Sequence, residues 1–227
     1  MTGWRSIGVI GGMGPAATAD FLARLVIAAG ATRDEDHPRV YVDSNPDVPD
    51  RNAARRGDGP SPGPVLAAMA RGLVAQGAEV LAMPCNAAHG WAQDIVTASH
   101  VIFVDMVAAA VAEALRFSPV SVGILAVGAT LDARLYHDRF RAAGVAIIDC
   151  DRSAVQPLVT RIKGGDVGAQ VRAGLLAEAA WLMAAGAEVI IAACTEVPLA
   201  LSADDVSVPL VDATSALVIA TLVAARR

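Results

Sequence analysis

Two cysteines of this 227-residue chain close apolar runs and are each followed by a short polar residue. The runs are Leu81-Ala82-Met83-Pro84-Cys85-Asn86 and Ile191-Ala192-Ala193-Cys194-Thr195-Glu196. The cysteines lie 109 residues apart, the spacing at which Gly77-Ala78-Glu79-Val80 returns as Gly186-Ala187-Glu188-Val189. A single cysteine at the end of an apolar strand is ordinarily core, because cysteine is among the most buried residue types. A pair in register, one per repeat, reads differently. A thiolate and a thiol on opposite sides of one carbon can take a proton from one face and return one to the other. Inverting a hydrogen-bearing stereocentre requires both transfers, which a single base cannot easily perform. A free thiol ionises near pH ~8.5, lower beside a cation or at a helix N-terminus, and both cysteines directly precede expected helix starts. Backbone N–H groups there, with Asn86 and Thr195, suit a substrate carboxylate. A disulfide between the repeats is the competing use of the same pair.

Other candidates are weaker. Gly11-Gly12-Met13-Gly14-Pro15 follows the first strand, and its glycines let backbone N–H groups approach an anion. Gly12 to Ala17 fits a relaxed dinucleotide fingerprint with Asp34 and Asp36 downstream, although Pro15 removes one N–H from the cradle. Residues 44–64 hold five prolines and read as a long irregular loop, a lid or a tether, carrying Asn45, Arg51, Arg55 and Arg56. A loop arginine suits bidentate capture of a carboxylate, and a solvated charge cluster is the alternative. Gly59-Pro60-Ser61-Pro62-Gly63 matches the serine-hydrolase elbow only formally, since no strand precedes it. His89, four residues after Cys85, and Glu196, two after Cys194, are placed to tune the thiols or to serve their own helices. Cys150 aligns with Ser44 after the second strand, has no cysteine partner and reads as packing. The histidines do not cluster as metal ligands.

These residues need a scaffold that brings two loops to one place, and the repeat supplies it. Ser6-Ile7-Gly8-Val9-Ile10 has its echo in Ser121-Val122-Gly123-Ile124-Leu125, and Val104-Asp105 in Val211-Asp212. Strand-like runs at 7–10, 39–43, 79–83 and 101–104 alternate with helical stretches such as 65–76, and the second half repeats the order at 120–125, 145–149, 189–192 and 208–211. Nearly all-apolar strands separated by helices make a parallel sheet covered on both faces. The expectation is therefore an α/β protein of two similar doubly wound parallel-sheet domains, 1–116 and 117–227, related by a pseudo-twofold axis. In such sheets ligands bind beyond the carboxyl ends of the strands, so the site is expected in the cleft between the domains. The last helix, 214–225, can pack on either domain.

Composition narrows the class. With 18 Lys+Arg against 23 Asp+Glu the net charge is −5, which argues against a nucleic-acid partner. The longest uncharged stretch, 117–131, has 15 residues and is broken by Pro119, Gly123 and Gly128, so no membrane span is expected. The opening residues, from Met1, carry no leader pattern, and three cysteines in a chain of this length fit a reducing compartment; a cytoplasmic protein is expected.

Taken together, the motifs resemble the aspartate/glutamate racemase family of cofactor-independent amino-acid racemases. The resemblance rests on Gly11-Gly12-Met13-Gly14-Pro15-Ala16-Ala17-Thr18, Pro49-Asp50-Arg51, Pro84-Cys85-Asn86-Ala87-Ala88-His89, Thr130 with Tyr136, Ile162-Lys163-Gly164-Gly165 and Cys194-Thr195-Glu196, and it spans nearly the whole chain. It implies Cys85 and Cys194 as the two acid/base residues and Arg51 and Lys163 as binders of the substrate carboxylates. Asn86, Thr130 and Thr195 would form the polar pocket, with Met13 and Ala87 against the substrate and Asn45, His89 and Glu196 in support. It also implies a homodimer, an acidic amino acid as substrate, and neither cofactor nor metal. Two positions depart from the family: Ala87 stands where threonine is common, and Ala126-Val127-Gly128-Ala129-Thr130 lacks a usual threonine at Val127. Both changes bear on the substrate more than on the mechanism. An isomerase or decarboxylase of a small dicarboxylic acid and a non-catalytic amino-acid-binding protein are the alternatives.

Overall fold

The computed structural model describes residues 3–227; Met1 and Thr2, the first residues of the opening segment read above, lie outside them. The chain divides into two compact units, Met1–Met106 with Thr214–Arg227, and Val107–Ala213. Each contains one four-stranded, wholly parallel sheet with helices around it, so the expected α/β class with two similar domains is what the chain adopts.

In the first unit β1 (Ile7–Gly11), β2 (Val40–Ser44), β3 (Val80–Ala82) and β4 (Ile102–Val104) lie in the order β2-β1-β3-β4. The helices are α1 (Pro15–Ala29), α2 (Arg51–Arg56), α3 (Gly63–Gln76) and α4 (Ala92–Ser99). In the second, β5 (Ser121–Leu125), β6 (Ala146–Asp149), β7 (Val189–Ala192) and β8 (Leu210–Asp212) take the order β6-β5-β7-β8. Here α5 (Met106–Leu115) leads in, followed by α6 (Gly128–Asp132), α7 (His137–Ala142), α8 (Arg152–Lys163) and α9 (Ala169–Ala184). The central strands β1, β3, β5 and β7 are almost wholly buried, as their unbroken apolar sequences require, whereas β2 and β6 are partly exposed edges.

The repeated Gly-Ala-Glu-Val does the same job twice. Glu79 N–H donates to Ser6 O at 2.8 Å and Glu188 N–H to Ser121 O at 3.1 Å, joining the start of each third strand to its first. The carboxylates return the favour to the same ends, Glu79 Oε2 accepting from Ser6 N and Glu188 Oε2 from Val120 N, both at 2.9 Å.

The unit boundary differs from the expected division after residue 116. The first unit ends at Met106, and it takes back Thr214–Arg227, which includes nearly all of α10 (Ala213–Ala225). The chain ends explain this. Trp4 and Arg226 form an antiparallel bridge, Arg5 N–H donates to Ala225 O at 2.6 Å, and the Arg5 guanidinium donates to the Ala224 and Arg226 carbonyls. Strand β1 thus carries the chain's last residues at its entry. Among the described residues, no helix is long and apolar enough to cross a membrane.

Candidate active site

In both sheets the strand order reverses between the first and third strands of the set, so the topological switch point lies between β1 and β3 and between β5 and β7. Ligand crevices of open parallel sheets form beyond the carboxyl ends at such points. The four loops that leave those ends are the ones carrying the sequence motifs. Each cysteine holds the same place. Ala82 pairs with Val9 and Val104, Ile191 pairs with Ile124 and Val211, and Cys85 and Cys194 each stand three residues past those rows.

After β1, Gly12 adopts φ +91°, open to glycine and strained for other residues, and a Cβ there would lie 2.4 Å from the Asn45 backbone. The first-strand loop and the Asn45 loop therefore meet as bare backbone, joined by Asn45 N–H to Gly11 O at 3.3 Å. Thr18, one turn into α1, accepts from Gly12 N–H at 2.9 Å and donates to the Gly14 carbonyl at 3.2 Å. It is a pinning residue that sequence reasoning quoted in the motif but gave no role of its own, although a hydroxyl one turn after a glycine loop is a recognisable signal. Met13 is buried. Asp34–Asp36 form a 3-10 turn ahead of β2, with Asp36 paired to Arg33. The dinucleotide reading needs its acid where it can reach a bound ribose, and here it precedes the second strand.

The stretch 44–64 is not irregular throughout. Asp50 caps α2 by accepting Ala53 N–H at 2.7 Å, and α3 begins already at Gly63. Ser61 accepts the Gly63 N–H at 3.2 Å and serves that helix start. Arg51 opens α2, half-buried, donating to the carbonyls of Val48 and Pro49 at 3.0 and 3.1 Å; no carboxylate pairs with it among the described residues. Asn45 turns its side chain to its own loop, accepting Asp47 N–H.

Beyond β3, Cys85 is 4% exposed and leads into a 3-10 turn, Ala87–Trp91, against which α2 packs. A 3-10 turn, Val197–Leu199, likewise follows Cys194. The helix N-termini expected beside the thiols are therefore short 3-10 turns. Asn86 and Ala87 are buried at the first of them. His89 uses both ring nitrogens: Nδ1–H donates to the Cys85 carbonyl at 2.8 Å and Nε2 accepts Met106 N–H at 3.1 Å, which fixes the neutral Nδ1–H tautomer. Its bond to the Cys85 carbonyl fixes the backbone of the cysteine loop.

In the second unit Cys194, Thr195, Glu196 and Lys163 come together. Cys194 Sγ–H and the Thr195 hydroxyl both donate to Glu196 Oε2 at 3.1 Å, and Lys163 Nζ lies 3.9 Å from Oε1. Glu196 is 2% exposed, whereas the Lys163 side chain is 38% exposed, so one end of this ion pair reaches solvent. Lys163 ends α8, whose Val155, Val159 and Ile162 are buried, and α8 packs against the turn after Glu196. Burial, first, and then the Glu196 carboxylate push the Cys194 thiol well above its ordinary value, with Lys163 opposing. This reverses the lowering expected for a thiol at a helix start. Thr130, in α6 after β5, is 1% exposed and its hydroxyl has no hydrogen-bond partner among the described residues. Buried polar groups are nearly always paired, so this one is available to a ligand. Val127 precedes it, also buried.

Cys150 is confirmed as packing by its contacts: Sγ accepts Ala126 N–H and donates to Ala126 O, both at 3.4 Å, clipping the loop that leads to Thr130. None of the three cysteines is in a disulfide. Among the described residues, no group of three His, Cys, Asp or Glu side chains is placed to hold a metal ion.

Comparison with known proteins follows the same residues. Positions 10–221 match the family model described as Asp/Glu/Hydantoin racemase. The chain is 26% identical over 227 residues to the broad specificity amino-acid racemase RacX of Bacillus subtilis (strain 168), covering 95% of this chain and 96% of that one. The solved structure of Picrophilus torridus aspartate racemase is 25% identical, with a TM-score of 0.89 over 98% of this chain and 95% of that one. Glutamate racemase from Francisella tularensis subsp. tularensis SCHU S4, solved with D-glutamate, shares the fold at 17% identity, with a TM-score of 0.68 over 96% of this chain and 79% of that one.

Proposed function

The chain belongs to the Asp/Glu/Hydantoin racemase family and is an isomerase, and on that premise we propose that it racemises an acidic amino acid, aspartate or glutamate, without a cofactor. The observation that carries the proposal is the matched place of Cys85 and Cys194, each three residues past the same register row at a switch point. Racemisation needs one group to remove the α-proton and another to supply a proton to the opposite face, and two equivalent thiol positions meet that need.

The remaining groups fit an acidic substrate. Arg51, with no carboxylate partner among the described residues, and Lys163, held loosely by Glu196, would take the two carboxylates. Charge that develops as the α-proton leaves is then spread toward fixed cations and N–H groups. Thr130 and Thr195 would orient the substrate with Asn86, while Met13 and Ala87 bound it apolarly. The broad specificity named for the Bacillus relative is compatible with the loss of hydroxyls at Ala87 and Val127. The expected setting is the cytoplasm and the expected assembly a homodimer.

One enantiomer of aspartate, and separately of glutamate, is incubated with the chain in deuterium oxide with no cofactor added. The reading expects optical rotation to decay and deuterium to build up at the α-carbon of the opposite enantiomer. Rotation that persists with both amino acids overturns it.

A further inference from the structure

The last helix is apolar on every side, and the chain covers only one of them. None of the residues of α10 is charged. Leu217, Val218 and Leu222 are buried, whereas Ser215, Ile219 and Val223, four apart along the other side, are exposed. A helix that is apolar all round is normally enclosed all round. Beside it α1 presents the same kind of surface, with Ala19, Ala23 and Ile27 again spaced by four and exposed, Ile27 by 79%. Arg24 of α1 donates to Ser215 Oγ at 2.8 Å and fastens the two helices into one face. We infer that two copies of the chain associate through this α1/α10 face as a twofold dimer. The inference rests on the reading above for its expectation of a homodimer and supplies the surface.

Charge favours a second copy as the occupant. On the two helices the only charged side chains are Asp20 and Arg24, and these pair with each other at 2.9 Å. Copies of a chain with net charge −5 meet at least electrostatic cost where neither presents an unpaired charge. A lipid surface is a poorer match, because a helix lying on a membrane carries Lys and Arg on its polar side and α10 has none.

Shape points the same way. A groove of about 280 Å³ runs between the helices, lined by Arg24, Ile27, Ala28, Ser215, Val218 and Ile219. That is below the roughly 300–1,000 Å³ of small-molecule pockets and on the scale of side chains. Val223, 68% exposed, stands one turn beyond Ile219 on the same face. A twofold interface requires one patch to complement itself, and a patch with both projections and a groove meets that requirement. At 1.5 Å per residue the helices are each about 20 Å long, so side by side they cover about 20 Å by about 20 Å. Corrugated by its side chains, that footprint approaches the roughly 600 Å² per copy at which stable interfaces begin.

Sedimentation equilibrium of the intact chain over roughly 1–100 μM reads the assembly. Expected is a native dimer whose dissociation constant rises about 30-fold or more in Ile219→Asp, which sets an unpaired charge in the contact. Trp181→Asp, at an exposed apolar position on α9, should leave the dimer unchanged. Should the Ile219→Asp chain not fold, Ile219→Ala decides, with an expected rise of about 5-fold or more. A native chain that stays monomeric, a dimer that the Ile219 variants leave intact or that Trp181→Asp dissolves, or monomers that instead sediment with anionic phospholipid vesicles overturns the inference. A monomeric chain that racemises with deuterium exchange sinks this inference and leaves the racemase reading standing. A dimer sensitive at Ile219 that exchanges no α-proton does the reverse.

Discussion

His89 donates from Nδ1 to the carbonyl of Cys85 at 2.8 Å, and through its other nitrogen it takes the first N–H of α5 at 3.1 Å. The ring is buried and stacks obliquely near Phe103, centroids 5.6 Å apart. One neutral imidazole therefore ties the cysteine loop to the point where the chain leaves the first sheet. Replacing His89 with alanine removes both bonds and leaves buried polar groups without them, at about 1–3 kcal/mol each. The expected result is a loss of about 2–5 kcal/mol in urea unfolding, together with reduced turnover as Cys85 loses its fixed backbone. Glutamine, which offers a donor and an acceptor, should recover part of both. Unchanged stability in the alanine variant would show that the imidazole bonds are replaceable.

Substituting serine for Cys85 or Cys194 keeps size and hydrogen bonding but exchanges a thiol for a hydroxyl that ionises far less readily. If each sulfur moves a proton, either variant alone loses about 10²–10⁴-fold in turnover, since general acid–base catalysis is worth that much. The double variant should lose little more than the worse single one, because both groups serve one event. Polarimetry on the purified variants reads this directly. Residual activity near native in either single variant would exclude the thiol as a proton carrier.

Much of this was legible in the sequence because an all-apolar parallel sheet leaves few choices. The offsets of the internal repeat are reproduced in the strand register: Val9, Ala82 and Val104 form one row, and Ile124, Ile191 and Val211 form its counterpart. A repeat that holds through three strands fixes where each strand ends, and so where Cys85 and Cys194 emerge. What stayed hidden depends on directions that spacing does not carry. Four-residue spacing put His89 near Cys85, but whether its ring meets the sulfur or the carbonyl is decided by where Met106 lies. The short Val197–Leu199 turn leaves Glu196 at its start, close to Cys194 Sγ, where a longer helix was expected. The last helix has no sequence mark for either unit; its place follows from the pairing of Trp4 with Arg226.

Cys150 gives the alkaline limit of the fold. Burial, chiefly, raises its thiol from 9.0 to about 11, with Glu178 and Asp149 adding to the rise and the Ala126 backbone opposing it. In the unfolded chain the thiol ionises around its ordinary value; in the folded chain it keeps its proton until about 11. Between those two points the native state binds the extra proton, so stability must fall as pH rises through that window and is fully present below it. A shift of this size corresponds to about 2–3 kcal/mol. Cys194, raised in the same direction by burial and Glu196, adds to the same slope. Urea unfolding measured at steps from about pH 8 to about pH 11 should therefore show a steady decline, and Cys150→Ala should flatten it while lowering stability near neutrality through the lost clip on Ala126. An equally steep decline in the variant would assign the alkaline loss to other groups.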